Sequence, residues 1–164
     1  LDIVKGSYQI GEKYPYDTAY NTCGFGDFAV CRKNSTAPEI LNEYDRSGKT
    51  ILNTKQGYSK CSICIVNEYS LITADEGIYK LLKASNLNVL KIRPGFVELY
   101  GMSGFIGGAS GLISHDLLAF CGSLKNHPDG LNIKSFCKEL KIDAIELNNG
   151  SLKDIGSIIV NVNE

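Results

Sequence analysis

Short apolar runs separated by polar turns follow one another along this chain in an order that occurs three times. The clearest copy lies at residues 57–93, where apolar runs at 61–66 and 70–73 flank a polar three-residue turn. Apolar side chains at helical spacing come next, after Asp75, and an apolar run at 88–92 completes the copy. This pattern predicts a unit of strand, turn, strand, helix and strand.

The other two copies lie at residues 19–54 and 104–148. Their second strands begin at nearly regular intervals, at Phe28, Leu71 and Leu117. Repeats of this length are each one supersecondary unit. Because the strand after each helix arrives by a crossover, it needs a parallel partner. We therefore predict an α/β fold of repeated ββαβ units arranged as part of an α/β propeller, with about three units and a terminal strand at 151–162.

Local sequence signals predict where two of the helices begin and where the first strand of each unit lies. The pairs Thr36 and Glu39, and Thr73 and Glu76, have the spacing of a capping box, and Asp75 is the simpler cap for the second helix. The first strands of the three units are predicted at 19–22, 61–66 and 104–113, and a further short strand is predicted at residues 1–4.

Length and charge narrow the class of protein. The 164 residues fit one domain, and 43% apolar and 21% charged residues are typical of globular chains. The net charge is −1 and the basic residues are scattered, so we expect neither nucleic acid nor a membrane as a partner. No apolar run approaches the roughly 20 residues that span a bilayer.

Six cysteines lie mostly inside apolar runs, which favours free thiols in a reduced, cytoplasmic protein over a disulfide framework. The chain begins at Leu1 without a signal-type segment, and we interpret it as a piece of a longer protein.

The repeats resemble a known fold. A glycine precedes each first or terminal strand (Gly57, Gly104 and Gly150), and the ββαβ order resembles the guanidine-modifying enzyme fold, or pentein, of arginine deiminases, dimethylarginine hydrolases and amidinotransferases. More closely, KQGYSKCSICIV, LITADEGI, GFIGGASG, HPD and DIGSIIV resemble an uncharacterised bacterial domain family assigned to that fold. The resemblance implies five units around a central channel, so upstream units are expected to be missing. The open sheet edge that this leaves predicts self-association.

The hydrolases of this superfamily use a cysteine thiolate, a histidine and two carboxylates, and this chain departs from all four. Ile155 stands where the resemblance places the thiol, and no cysteine follows Cys137. The segment that should carry the histidine has none. Cys61 and Asn21 stand near the positions of the two carboxylates. The resemblance therefore does not extend to the standard hydrolytic mechanism.

Two candidates carry alternative chemistry. Lys60 beside Cys61, at the expected start of a strand facing the channel, would lower the pKa of the thiol and make it reactive. The alternative is a packed thiol beside a solvent-facing lysine. His127 precedes Asp129 and would act in proton transfer beside a carboxylate. Its alternative is an exposed histidine next to a helix cap formed by Asp129.

The remaining candidates are polar groups expected at the channel. Asp154 is a further acid that would act in catalysis, and its alternative is an exposed turn aspartate. Asn21, Lys60, Ser110 and Ser157 are the candidate substrate-binding residues. Backbone N–H groups of the glycine-rich 107–111 segment would cradle an anion, or its small residues would let strands pack closely.

We predict no metal site, because Cys61 and Cys64 would point to opposite faces of a strand and could not easily bind one ion together. We predict no cofactor either. The sequence thus predicts a pentein-like domain that binds or modifies a small guanidino or amino-acid-like molecule in its axial channel, with Cys61, His127 and Asp154 as catalytic residues. The alternative is a noncatalytic, degenerate pentein that serves as a binding or structural module.

Overall fold

A computed structural model describes residues 5–160 of the chain. The strand predicted at residues 1–4 and the last two residues of the one predicted at 151–162 lie outside this range. In chain order the strands and helices are β1 (Cys23–Phe25), β2 (Phe28–Cys31), α1 (Pro38–Arg46), β3 (Thr50–Asn53), α2 (Ser59–Ser62), β4 (Ile63–Asn67), β5 (Ser70–Thr73), α3 (Glu76–Ala84), β6 (Asn88–Lys91), β7 (Val97–Leu99), β8 (Met102–Ser103), β9 (Ser110–Ser114), β10 (Leu117–Phe120), α4 (Gly130–Glu139), β11 (Asp143–Glu146) and β12 (Leu152–Lys153).

Three of the sheets have the same topology. In β1-β2-β3, β4-β5-β6 and β9-β10-β11 the first strand is antiparallel to the second, and the third is parallel to the second. One helix (α1, α3 or α4) forms the crossover between the second and third strands. The α/β class is confirmed, and the ββαβ order is present in each of the three expected ranges.

A fourth sheet, β12-β7-β8, was not expected from the sequence. The hairpin of β7 and β8 lies between the second and third units in the chain, and β12 joins it in parallel from near the C-terminus. The terminal strand predicted at 151–162 is therefore wrong in extent, because only Leu152 and Lys153 form a strand among its described residues. Within residues 5–160 the four sheets are separate, and no strand ladder closes them into one barrel.

The first strands of all three units begin later than predicted, at Cys23, Ile63 and Ser110. In the second unit, Lys60 and Cys61 lie in the short helix α2 and not at the start of a strand. Short apolar runs fit a buried helical turn as well as a strand, so periodicity did not separate the two.

The helix caps agree with the prediction in one case. Asp75 precedes α3, and its Oδ1 accepts a hydrogen bond from the backbone N of Ile78 at 2.8 Å. The capping box predicted from Thr36 is wrong, because Ala37 occupies the cap of α1 and the Thr36 hydroxyl donates to the carbonyl of Arg32. Among the residues that the structure describes, no side chain caps the first-turn N–H groups of α1.

Two apolar clusters form the core, and the second sheet separates them. Ile63 and Leu71 pack in the cluster shared with the first unit, whereas Cys64 and Ile72 pack in the cluster shared with the third. Successive residues of a strand point to opposite faces, so this sheet is buried on both sides. That burial explains why its strands are continuous apolar runs without polar alternation.

The backbone packs so closely next to β4 that residue 107 has no room for a side chain. A Cβ atom there would lie 2.2 Å from the carbonyl oxygen of Ile63, which is backbone and cannot move aside cheaply. We expect Gly107→Ala to lower the free energy of unfolding by about 1–3 kcal/mol, as overpacking does in protein cores. Urea denaturation followed by circular dichroism measures this change.

Gly77 provides the matched control for that substitution. It is exposed in the first turn of α3, and an added Cβ would lie 3.3 Å from its nearest neighbour, a carboxylate oxygen of Asp75. Gly77→Ala should be neutral or stabilise the fold by up to about 1 kcal/mol. Equal stability of the two variants would contradict the packing described here.

Candidate functional site

The segments that enter three of the sheets meet at one place. Asn21, Cys61 and Gly108 each lie two residues before the first strand of their unit. The Asn21 amide donates from Nδ2 to the Cys61 Sγ at 3.1 Å, and its Oδ1 accepts from the backbone N of Lys60 at 2.9 Å. The carbonyl of Cys61 in turn accepts from the Gly108 N at 3.0 Å. The Asn21 side chain and the backbone bond between Gly108 and Cys61 thus connect the entries of the three units.

Residues 154–157 cover this meeting point from the C-terminal side. The Asp154 carboxylate accepts from the backbone N of Phe105 and of Gly156, both at 2.9 Å. The Lys60 ammonium donates to the Ser157 Oγ at 2.8 Å, and the Cys61 thiol donates to the carbonyl of Gly156 at 3.7 Å. We call Asn21, Lys60, Cys61, Asp154 and Ser157 the strand-entry cluster.

The glycines beside the cluster make the close packing possible. A Cβ atom on Gly108 would lie 1.9 Å from the Asp154 Oδ1, and one on Gly111 would lie 2.2 Å from the carbonyl oxygen of Ile158. These contacts support the interpretation that the small residues of this segment allow close approach. The Ser110 hydroxyl is buried and donates to the carbonyl of Ile106, so it bonds none of the cluster side chains.

Burial controls the chemistry of the Cys61 thiol. The residue is 8% exposed, and this burial raises the pKa of the thiol above its ordinary value. Three smaller effects follow burial. The hydrogen bond from Asn21 lowers the pKa, the charge of Asp154 raises it, and the charge of Lys60, the smallest effect, lowers it. Lys60 thus lowers the pKa of the thiol, as predicted, but burial raises it by more. The thiol is therefore neutral near pH 7.

An aromatic stack supports the helix that carries Lys60 and Cys61. The Tyr58 ring, just before α2, lies between those of Tyr14 and Phe105, with centroids 6.0 and 5.9 Å away. The guanidinium of Arg32 lies over the Tyr14 ring. The Tyr58 hydroxyl donates to Asp17, which raises the pKa of Tyr58 to about 12. The clustering of tyrosines before residue 20 is the sequence signal for this support.

His127 lies apart from the strand-entry cluster. It is 4% exposed, its Nδ1 accepts from the backbone N of Asp129 at 2.9 Å, and its ring contacts the edge of Phe96. The alternative of an exposed histidine is wrong. Asp129 precedes α4, but its carboxylate binds the backbone N and the guanidinium of Arg93 and does not cap the helix. The structure thus brings together five of the seven predicted site residues and leaves Ser110 and His127 outside.

All six cysteines are free thiols. Burial raises the pKa of Cys23 and Cys64 to about 12, so these two are inert packing residues. Within residues 5–160 no group of three histidine, cysteine or acidic side chains is arranged to hold a metal ion. No helix in the same range is long and apolar enough to cross a membrane.

Comparison with known proteins identifies a family. A family of unknown function, DUF6873, matches residues 1–159. No curated protein and no solved structure matches the chain significantly.

The raised pKa of Cys61 leads to a prediction about alkylation. Cys121 is the only one of the six cysteines that is not buried, so iodoacetamide should modify it first. In a Cys121→Ser variant, Cys61 should react slowly at pH 7, and its rate should keep rising through pH 9 because the thiolate fraction is still increasing. Mass spectrometry of the native protein measures both rates. A fast Cys61 reaction that levels off near pH 7 would contradict a neutral thiol.

Proposed function

We propose that this chain, which belongs to the DUF6873 family of unknown function, is a noncatalytic domain of the pentein type that serves as a binding or structural module. Three ββαβ sheets and a fourth three-stranded sheet support this view of the architecture. The entries of the three units meet at the strand-entry cluster, and the resemblance to penteins implies a catalytic channel at such a place. In this domain the cluster joins the units and does not process a guanidine.

The observation that carries the proposal is that each side chain of the cluster already makes a hydrogen bond within residues 5–160. Both carboxylate oxygens of Asp154 accept backbone hydrogen bonds, and the Asn21 amide is engaged at its oxygen and its nitrogen. The Lys60 ammonium is bonded to Ser157 in the middle of the group. A fixed positive charge there repels a cationic guanidinium, and the neutral Cys61 thiol is a poor nucleophile.

A second candidate function is favoured by the way the cluster is covered. Residues 155–158 lie over it through few hydrogen bonds, among them Ile155 N to the Gly108 carbonyl and Ile158 N to the Ser110 carbonyl. Withdrawal of this segment would expose the Cys61 thiol, the Asn21 amide and the Asp154 carboxylate together. On this view the domain binds or modifies a small guanidino or amino-acid-like molecule. Cys61 is the nucleophile, and the Asp154 carboxylate binds the nitrogens of that molecule.

Calorimetry with a charge-deleted variant separates the two functions. Arginine, agmatine, methylarginines and citrulline are titrated into the wild-type protein and into Lys60→Met, which loses the ammonium and its bond to Ser157. The noncatalytic function predicts no binding heat with either protein. Heat with arginine or agmatine, increased in Lys60→Met because the repelling charge is gone, would establish the second function instead.

A stability series tests whether the cluster is structural. Asp154→Ala leaves two backbone N–H groups without partners, so we expect a loss of about 2–4 kcal/mol in the free energy of unfolding. Asp45→Ala, on the exposed face of α1, is the matched control and should change stability by less than about 0.5 kcal/mol. Urea denaturation measures both. A fully stable Asp154→Ala variant would show that the carboxylate is kept for chemistry and not for the fold.

A further inference from the structure

A pocket separate from the strand-entry cluster lies where the second unit, the third unit and the fourth sheet meet. Its volume is about 270 Å³, somewhat below the roughly 300–1,000 Å³ of pockets for drug-sized ligands. It is lined by side chains from five segments, among them Ser62, Asp75, Arg93, Phe96, Phe105 and His127. Its size suits a molecule of about a dozen non-hydrogen atoms.

Two polar atoms in the wall of this pocket are buried without a partner. The Ser62 Oγ makes no hydrogen bond within residues 5–160, and the His127 Nε2 makes none of good geometry, although the Arg93 backbone lies near enough to the ring to raise the pKa of His127; the two residues are only 2% and 4% exposed. An unsatisfied buried donor or acceptor costs about 1–3 kcal/mol, and such groups are rare in native proteins. Two of them beside one pocket indicate a ligand that supplies their hydrogen-bond partners.

The tautomer of His127 defines what that ligand must offer. The Nδ1 atom accepts from the backbone N–H of Asp129, so it carries no proton. Burial lowers the pKa of His127, which keeps the ring neutral at pH 7. The remaining proton therefore lies on Nε2, which is a donor. A ligand that satisfies Nε2 must present an acceptor to it, and the Ser62 hydroxyl can likewise donate to an acceptor.

The other walls are charged and apolar. The Arg93 guanidinium is bonded to the Asp129 carboxylate, and 60% of the Arg93 side chain is exposed. Asp75 brings a carboxylate, one oxygen of which caps α3 while the other is 3.4 Å from the Gln56 amide. Phe96 and Phe105 add aromatic surface. The pocket thus combines hydrogen-bond donors, charges of both signs and an apolar wall.

We propose that this pocket binds a free α-amino acid with an apolar or aromatic side chain. Its carboxylate accepts hydrogen bonds from His127 and Ser62 near the Arg93 guanidinium. Its ammonium faces Asp75, and its side chain packs on Phe96 and Phe105. This site is independent of the proposed function, because it shares no residue with the strand-entry cluster.

The test is isothermal titration of the full chain with phenylalanine and leucine and with two matched analogues. Phenethylamine lacks the carboxylate, and 3-phenylpropionate lacks the ammonium. We expect saturable binding of the amino acids and at least tenfold weaker binding of each analogue. Absence of saturable binding by either amino acid would overturn the proposal. Equal binding of 3-phenylpropionate and phenylalanine would overturn the role of Asp75.

Variants locate the binding to this pocket. Ser62→Ala removes a hydroxyl that has no partner, so it should weaken amino-acid binding about tenfold and leave stability unchanged or higher. His127→Asn keeps an acceptor for the Asp129 N–H but loses the Nε2 donor, and it should weaken binding to a similar extent.

Ser59→Ala is the matched control for Ser62→Ala. It removes another buried hydroxyl from α2, one that donates to the Gln56 carbonyl at 3.0 Å, so it should lower stability without changing affinity. Unchanged affinity in Ser62→Ala would place any observed binding elsewhere and overturn the proposal, even if His127→Asn fails to fold.

Discussion

Backbone groups at the strand entries need hydrogen-bond partners where three sheets meet, and two side chains supply them. The Asn21 amide bonds the entry of the second unit, and the Asp154 carboxylate bonds the backbone of Phe105 and Gly156. A buried N–H without a partner is costly, so the sheets can pack this closely only because these groups are satisfied. The same requirement explains the glycines at 107 and 108, where any side chain would displace the backbone or Asp154.

This arrangement has a direct consequence for chemistry. The close packing that satisfies the cluster also excludes water from Cys61, and desolvation raises the pKa of its thiol. A thiolate nucleophile needs the opposite environment, partly exposed and electropositive. The features that make the strand-entry cluster a good junction therefore make it a poor active site while residues 155–158 cover it.

Helix α2 contributes to both the strand-entry cluster and the pocket, because its adjacent residues Cys61 and Ser62 have different surroundings. Cys61 bonds Asn21 and Gly156 in the satisfied cluster, whereas Ser62 lines the pocket with His127 and has no partner for its hydroxyl. The sequence predicts His127 or Asp154 as the proton-transfer group for a reactive Cys61. His127 lines the pocket and lies apart from Cys61.

The sequence by itself determined the α/β class, the ββαβ order of three units and the Asp75 cap, because turns, crossovers and caps are local and periodic signals. It also identified five of the residues that form the strand-entry cluster. Only the tertiary structure decided the start of each first strand, the fourth sheet and the state of Cys61. Strands 97–99 and 152–153 are far apart in the chain, and their pairing leaves no local pattern. The pKa of a thiol depends on which segments bury it, and that is known only once the chain has folded.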